Sequence, residues 1–129
     1  MKGKVNECRV ALLQPQTNID ILEVTGNSNK LLKILKDPNA IIKRAGEFGK
    51  GIYMIYSKDK RKMKNRLLFT KGGYTRIIYG SFLIARLDKD KNILNLTDNE
   101  LRLINKIYGR PLKFTKLPNG HFIGYLYDI

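Results

Sequence analysis

Three features of the sequence predict an α+β domain. Apolar runs of strand length recur between clusters of Gly, Pro, Asn and Asp, two stretches carry apolar residues at helical spacing, and hairpin signals favour antiparallel neighbours. The expectation is a single domain over 1–129, with a mostly antiparallel sheet of about six strands and two short helices packed on it. At 129 residues, 43% of them apolar, the chain is long enough to bury a core without covalent staples.

The first strand, 8–14 (CRVALLQ), is continuously apolar, the pattern of a central strand, and Pro15 stops it. IDILEV at 19–24 supplies a second. The turn formers Gly26, Asn27, Ser28 and Asn29 lead into NKLLKILK, a short helix ended by Asp37-Pro38. Leu31, Ile34 and Leu35 share one of its faces. Lys30, Lys33 and Lys36 fall on the other, where a lysine stripe reads as a solvated surface. Strands follow at 40–45 (AIIKRA), 51–57 (GIYMIYS), 66–70 (RLLFT) and 74–87 (YTRIIYGSFLIARL). Gly72-Gly73 suits a tight hairpin between the last two, and Gly80 marks a bulge or close backbone approach. Asn119-Gly120, after Pro118, joins a final hairpin.

The sharpest punctuation lies at 96–111 (LTDNELRLINKIYGRP). Thr97 is a favourable N-cap, and Glu100 three residues later has capping-box spacing. Asp98 and Glu100 sit where the helix dipole favours acids; Gly109 is expected to stop the helix in the left-handed conformation, and Pro111 prevents its resumption. Leu101, Leu103, Ile104, Ile107 and Tyr108 form one broad apolar arc, with Asp98 and Arg102 as i, i+4 partners elsewhere on the wheel. A strand, not a helix, precedes this stretch. It therefore reads as a helix that docks on the sheet, not as the recognition helix of a helix-turn-helix.

Catalytic and metal chemistry find little support. His121 follows a turn with no nucleophile or orienting acid nearby in sequence, and reads as a surface residue. Cys8 lacks a disulfide partner, which suits a reducing compartment, and reads as a buried, inert thiol. One Cys and one His cannot make a zinc site. Asp88, Asp90 and Asp98 suggest a hard-cation site, but Lys89 and Lys91 interleave them, and a hairpin-to-helix connection accounts for them. No catalytic residue, metal site or cofactor is expected, and the chain is not read as an enzyme. No apolar run approaches the roughly 20 residues that cross a bilayer, and MKGKVNECRV lacks a signal-peptide core, so a cytoplasmic protein is expected.

GEFGKG at 46–51 imitates a phosphate loop. A Walker loop needs Ser or Thr after its Lys and then a helix; here Gly51 follows Lys50 and a strand follows that, so the segment reads as a turn.

Charge is the outstanding signal. Twenty-five Lys and Arg against 11 Asp and Glu give a formal net charge of +14. The excess is concentrated in 58–76 (KDKRKMKNRLLFTKGGYTR), whose 8 basic residues and one acid carry half of it. Lys58, Lys60, Arg61, Lys62, Lys64 and Arg66 are expected on an outward loop between strands, and Lys71 and Arg76 bracket the next turn. Such a field attracts polyanions. Phe69, Tyr74 and Tyr79 are interleaved with the cations, as core residues or as stacking surfaces for bases. The expected function is non-enzymatic binding of nucleic acid or of a nucleic-acid–protein complex. Capture of a small nucleotide near Gly46–Gly51, or protein interaction through the sheet face, are the alternatives.

Five pieces recur in order: VALLQP, NSNKLLKIL, KDKRKMKNRLLF with its Asn65-Arg66 pair, IIYGSFLIARLD and NLTDNELRLINKIYGRP. They lie within 10–111, and on them the chain, over 5–117 with gaps, resembles an uncharacterised family of small proteins from bacteria, phages and mobile elements, known as a domain of unknown function. The chain departs from that pattern at Asp37-Pro38-Asn39, where paired glycines are usual. The resemblance implies the fold and a phage or mobile-element origin, and carries over no catalytic residue. In that setting the binder would act in a host cytoplasm against a defence nuclease such as a CRISPR effector.

Overall fold

Strand β6 (Thr75–Leu87) organises the molecule, because its apolar residues alternate between two buried faces. Phe82 and Ile84 point to one face, Leu83 and Ala85 to the other, and all four are fully buried. A computed structural model describes residues 7–37, 40–69, 75–120 and 122–126. Along the chain come β1 (Cys8–Leu13), β2 (Asp20–Val24), α1 (Ser28–Leu35), β3 (Ile41–Arg44), a 3₁₀ turn (Gly46–Phe48), β4 (Ile52–Ser57) and β5 (Lys64–Phe69). After β6 follow β7 (Ile93–Leu94), α2 (Asp98–Tyr108), β8 (Leu112–Lys116) and β9 (Phe122–Leu126). The expected α+β class holds.

The main sheet has seven strands, with the path β2-β1-β6-β4-β3, and β8–β9 form a separate two-stranded sheet. Every ladder is antiparallel. The extra strand is β7, two residues that pair with Arg86 and Leu87 within the expected hairpin-to-helix connection. One edge of β6 is covered by β4. Along the other edge β5, β1 and β7 lie end to end, pairing with 75–79, 82–84 and 86–87 in turn.

The two helices cover opposite faces of this sheet. Leu31 of α1 packs with Val10, Ile55, Leu83 and Ala85. Ile104 and Tyr108 of α2 pack with Ala11, Leu13, Met54 and Phe82 on the far side. This three-layer arrangement explains why β1 is apolar without alternation from Val10 to Leu13: both faces are covered there, so neither needs polar side chains. Among the described residues, the central positions of β1, β4 and β6 are buried on both faces.

Helix ends differ from expectation in two places. Lys36, with φ 56° and ψ 34°, ends α1 in the left-handed conformation before Pro38 is reached. Gly109 does the opposite: it is right-handed, with φ −63° and ψ −27°. Glycine is needed there for space, because a Cβ would run into the amide and carbonyl of Asn105. The Gly109 carbonyl in turn accepts from the Ile19 amide at 3.0 Å, tying α2 to the segment before β2.

The N-terminus of α2 carries the full capping box. Asp98 pairs with Arg9 at 2.7 Å rather than with Arg102, which bonds Asn99 instead. The apolar arc is narrower than expected, since Ile107 is 45% exposed. Asp88 caps its own turn, accepting from the amides of Asp90 and Asn92 at 2.9 Å. Cys8 is half-buried and its thiol donates to the Ile93 carbonyl. Among the described residues, no helix is long and apolar enough to cross a membrane.

Candidate nucleic-acid interface

The basic loop runs from 58 to 63, shorter than expected, because pairing of β5 begins at Lys64. Its shape is set by its own acid. Asp59 receives the amide of Arg61 at 3.0 Å and the Arg61 guanidinium at 2.9 and 3.1 Å, while its own amide donates to Ser57 Oγ. The Arg61 side-chain hydrogen bond, aided by the Arg61 amide, holds the Asp59 carboxyl at about 2, below its ordinary 3.8.

The far end of the loop is sewn to β6 at Gly80. The Gly80 amide donates to the Met63 carbonyl at 2.6 Å, and its φ of +72° is one that L side chains resist. A Cβ there would stand 2.7 Å from Lys62 Cδ, so the lysine stem lies across the glycine. The expected bulge is present: register shifts on both sides of this point, between Ile55 and Ser57 and between Lys64 and Arg66. Lys62 then reaches Asp37, Nζ to Oδ2 3.1 Å.

Arg66 is a correction to the expected site. It is 1% exposed and cannot meet a surface polyanion. Lys64 pairs with Tyr79 and Arg66 with Ile78, so Asn65 is the additional residue of the bulge. Successive strand residues normally face opposite sides; the bulge turns Asn65 and Arg66 to the same side. Asn65 Nδ2 donates to the carbonyls of Leu13 and Gly80, both at 2.8 Å, joining the end of β1 to β6. Arg66 donates to Asn65 Oδ1 at 2.6 Å and to the carbonyls of Tyr108 and Thr17 at 2.9 and 2.7 Å. Burial pushes the guanidinium down to about 10, still a cation at neutral pH. The negative end of the α2 dipole, offered through the Tyr108 carbonyl, offsets its charge. The break in the charge run at Asn65, just before an apolar strand, was the sequence signal for this knot.

The remaining predicted cations divide. Lys58, Lys60 and Arg61 are exposed, and Lys62 and Lys64 are half-exposed. Lys64 Nζ lies 5.7 Å from the centre of the Tyr79 ring, which is half-buried beneath it. Lys71 and Tyr74 lie outside the described residues, as do the side chains of Phe69 and of Arg76, whose backbone belongs to β6. The last pair of the β5–β6 ladder is Phe69 with Thr75.

Two cations that the sequence reading left aside join the site. Lys36, at the end of α1, lines an open depression of about 500 Å³ with Lys58, Arg61, Lys62, Asp37 and Asp59. On the other side of Lys62, a second depression of about 380 Å³ is lined by Lys64 and Lys113 with Gln16, Met63, Leu112 and Phe114. Lys62 is common to both. The result is a band of cations from three distant parts of the chain, with Asp37 and Asp59 as the acids among them.

The Gly46–Gly51 segment does not form a phosphate cradle. The amides of Phe48, Gly49 and Ile52 donate to carbonyls of the same segment. Arg86 occupies its inner side, donating to the Lys50 carbonyl at 3.0 Å and pairing with Glu100. A Cβ on Gly51 would already be 3.2 Å from Arg86 Nη1. Phe48 is buried against Tyr108, with ring centres 5.7 Å apart. Compared with protein-family models, with curated proteins and with solved structures, the chain matches none.

Proposed function

We propose that the chain is a non-enzymatic binder of nucleic acid, alone or in a nucleic-acid–protein complex, and that its phosphates are taken by the band centred on Lys62. The observation that carries this reading is convergence. Lys36 from the end of α1, Lys58, Arg61 and Lys62 from the loop, Lys64 from β5 and Lys113 from β8 meet around two adjoining depressions. Closely spaced cations repel one another, and a polyanion relieves that repulsion while releasing its condensed counterions. In the phage or mobile-element setting implied by the family resemblance, the polyanion would be the nucleic acid of a host defence nuclease such as a CRISPR effector.

The test is charge reversal. Changing Lys58, Lys60, Arg61 and Lys62 to Glu should abolish binding of labelled DNA and RNA in fluorescence anisotropy. A control reversing Lys30, Lys33, Lys43 and Lys89 removes the same charge from exposed positions elsewhere. The control should keep its stability within about 0.5 kcal/mol per surface change, whereas the first variant also loses the Arg61–Asp59 and Lys62–Asp37 pairs, so circular dichroism checks that it is folded before binding is read. Equal loss of binding in the two would mean that net charge alone acts, and no loss in the first would sink the proposal.

A further inference from the structure

We infer that the depression between the basic loop and the β8–β9 hairpin is a subsite for single-stranded nucleic acid, in which unpaired bases lie on Phe114 and Met63 while Lys62, Lys64 and Lys113 hold the flanking phosphates. The inference rests on the reading above and narrows its ligand. This half of the band differs in chemistry from the other. The depression beside α1 is lined by charged and hydroxyl side chains, whereas this one combines three lysines with Met63, Leu112 and Phe114.

Met63, 57% exposed, is the most open large apolar side chain among the described residues, and it stands between two lysines that line the same depression. Phe114 is half-buried and sits opposite Gly124 in the β8–β9 ladder. The glycine leaves room for the ring: a Cβ at 124 would lie 3.3 Å from Phe114 Cε1. The ring is thus packed against its own strand pair. An apolar floor within a cationic rim suits a base with an accessible face joined to a phosphate. A duplex presents phosphates but keeps its base faces stacked, so it can use the rim and not the floor. DNA and RNA strands share this chemistry.

The experiment compares the full chain with a short mixed-sequence oligonucleotide as single-stranded DNA, as single-stranded RNA and as duplex DNA, by anisotropy over a salt series. Phe114→Leu keeps an apolar side chain over Gly124 but removes the ring face, and Met63→Ser changes an exposed position. The wild type should bind at least one single strand more tightly than the duplex; which strand it prefers identifies the source. Each variant should weaken that binding roughly tenfold, as for loss of one stacked base, and leave duplex affinity unchanged. Because no cation is removed, the salt slope should also stay unchanged. Thermal melting checks that Phe114→Leu folds; if it does not, Met63→Ser alone decides. Equal or tighter binding of the duplex, or variants that weaken both forms alike or neither, overturns the inference while leaving polyanion binding intact. Failure to bind any of the three nucleic acids overturns both.

Discussion

Arg66 shows how a single residue can be charged and yet serve the interior. Its neighbours in sequence are cations on the surface, but the bulge at Asn65 sends it inward to main-chain carbonyls. Asn65→Ala should destabilise by about 1–3 kcal/mol for each carbonyl left without a donor, here those of Leu13 and Gly80. Arg66→Lys should rescue little of the loss seen in Arg66→Met, since an ammonium cannot reproduce the guanidinium fork. Urea denaturation decides; a lysine variant as stable as the wild type would show that only the charge matters. Asp59 gives a prediction in pH. Its carboxyl is held at about 2 against an ordinary 3.8, so its contribution is present above the ordinary value and is lost as pH falls from there towards 2. Carbon NMR of the side-chain carboxyl should place the midpoint near 2. At neutral pH, Asp59→Asn should free Arg61 and steepen the salt slope of nucleic-acid binding by about one.

At the scale of the element, α2 is fixed by one residue with two tasks. Glu100 accepts the Thr97 amide at 2.8 Å as part of the capping box and also pairs with Arg86 from β6. Thr97→Ala should cost about 1 kcal/mol, the ordinary value of a cap. Glu100→Ala should cost more than that, because it leaves Arg86 without its carboxylate as well. Glu100→Gln retains the cap acceptor and should fall between the two in chemical denaturation. A glutamine variant as stable as the wild type would mean that the ion pair adds nothing. The basic loop is the converse case. It has no helix or ladder of its own, and its form comes from Asp59 within it and from Gly80 and Asp37 outside it.

For the whole molecule, the decisive feature is that two apolar clusters share the strands β1, β4 and β6. Leu31→Ala on one face and Ile104→Ala on the other should each cost about 2–5 kcal/mol, since both side chains are fully buried. Ile107→Ala, at a 45% exposed position, should cost far less. Circular dichroism and tyrosine fluorescence should report one common transition in both core variants. Separate transitions would mean that the layers unfold independently. The double variant should be additive within about 0.5 kcal/mol, because the two side chains lie on opposite faces and share no cluster.

The sequence by itself determined the elements whose signals are local. Thr97 and Glu100 bond each other within one helical turn, Gly80 permits inside a strand a backbone that L side chains resist, and the apolar period of α2 needs no distant partner to be read. It also located the charge at 58–76, because composition requires no geometry. Tertiary structure alone decided which cations face outward and which others join them. Arg66 went inward through a one-residue slip at the bulge, which reverses the facing of a strand residue without changing its type. Lys36 and Lys113 came to the band because α1 packs beside the loop end of the sheet and the β8–β9 hairpin packs beside β5. The Gly46–Gly51 segment departs from a phosphate loop because its amides of Phe48 and Gly49 turn to local carbonyls and Arg86, far along the chain, bonds the Lys50 carbonyl. Each of these outcomes depends on contacts between residues distant in sequence, and local pattern carries no information about them.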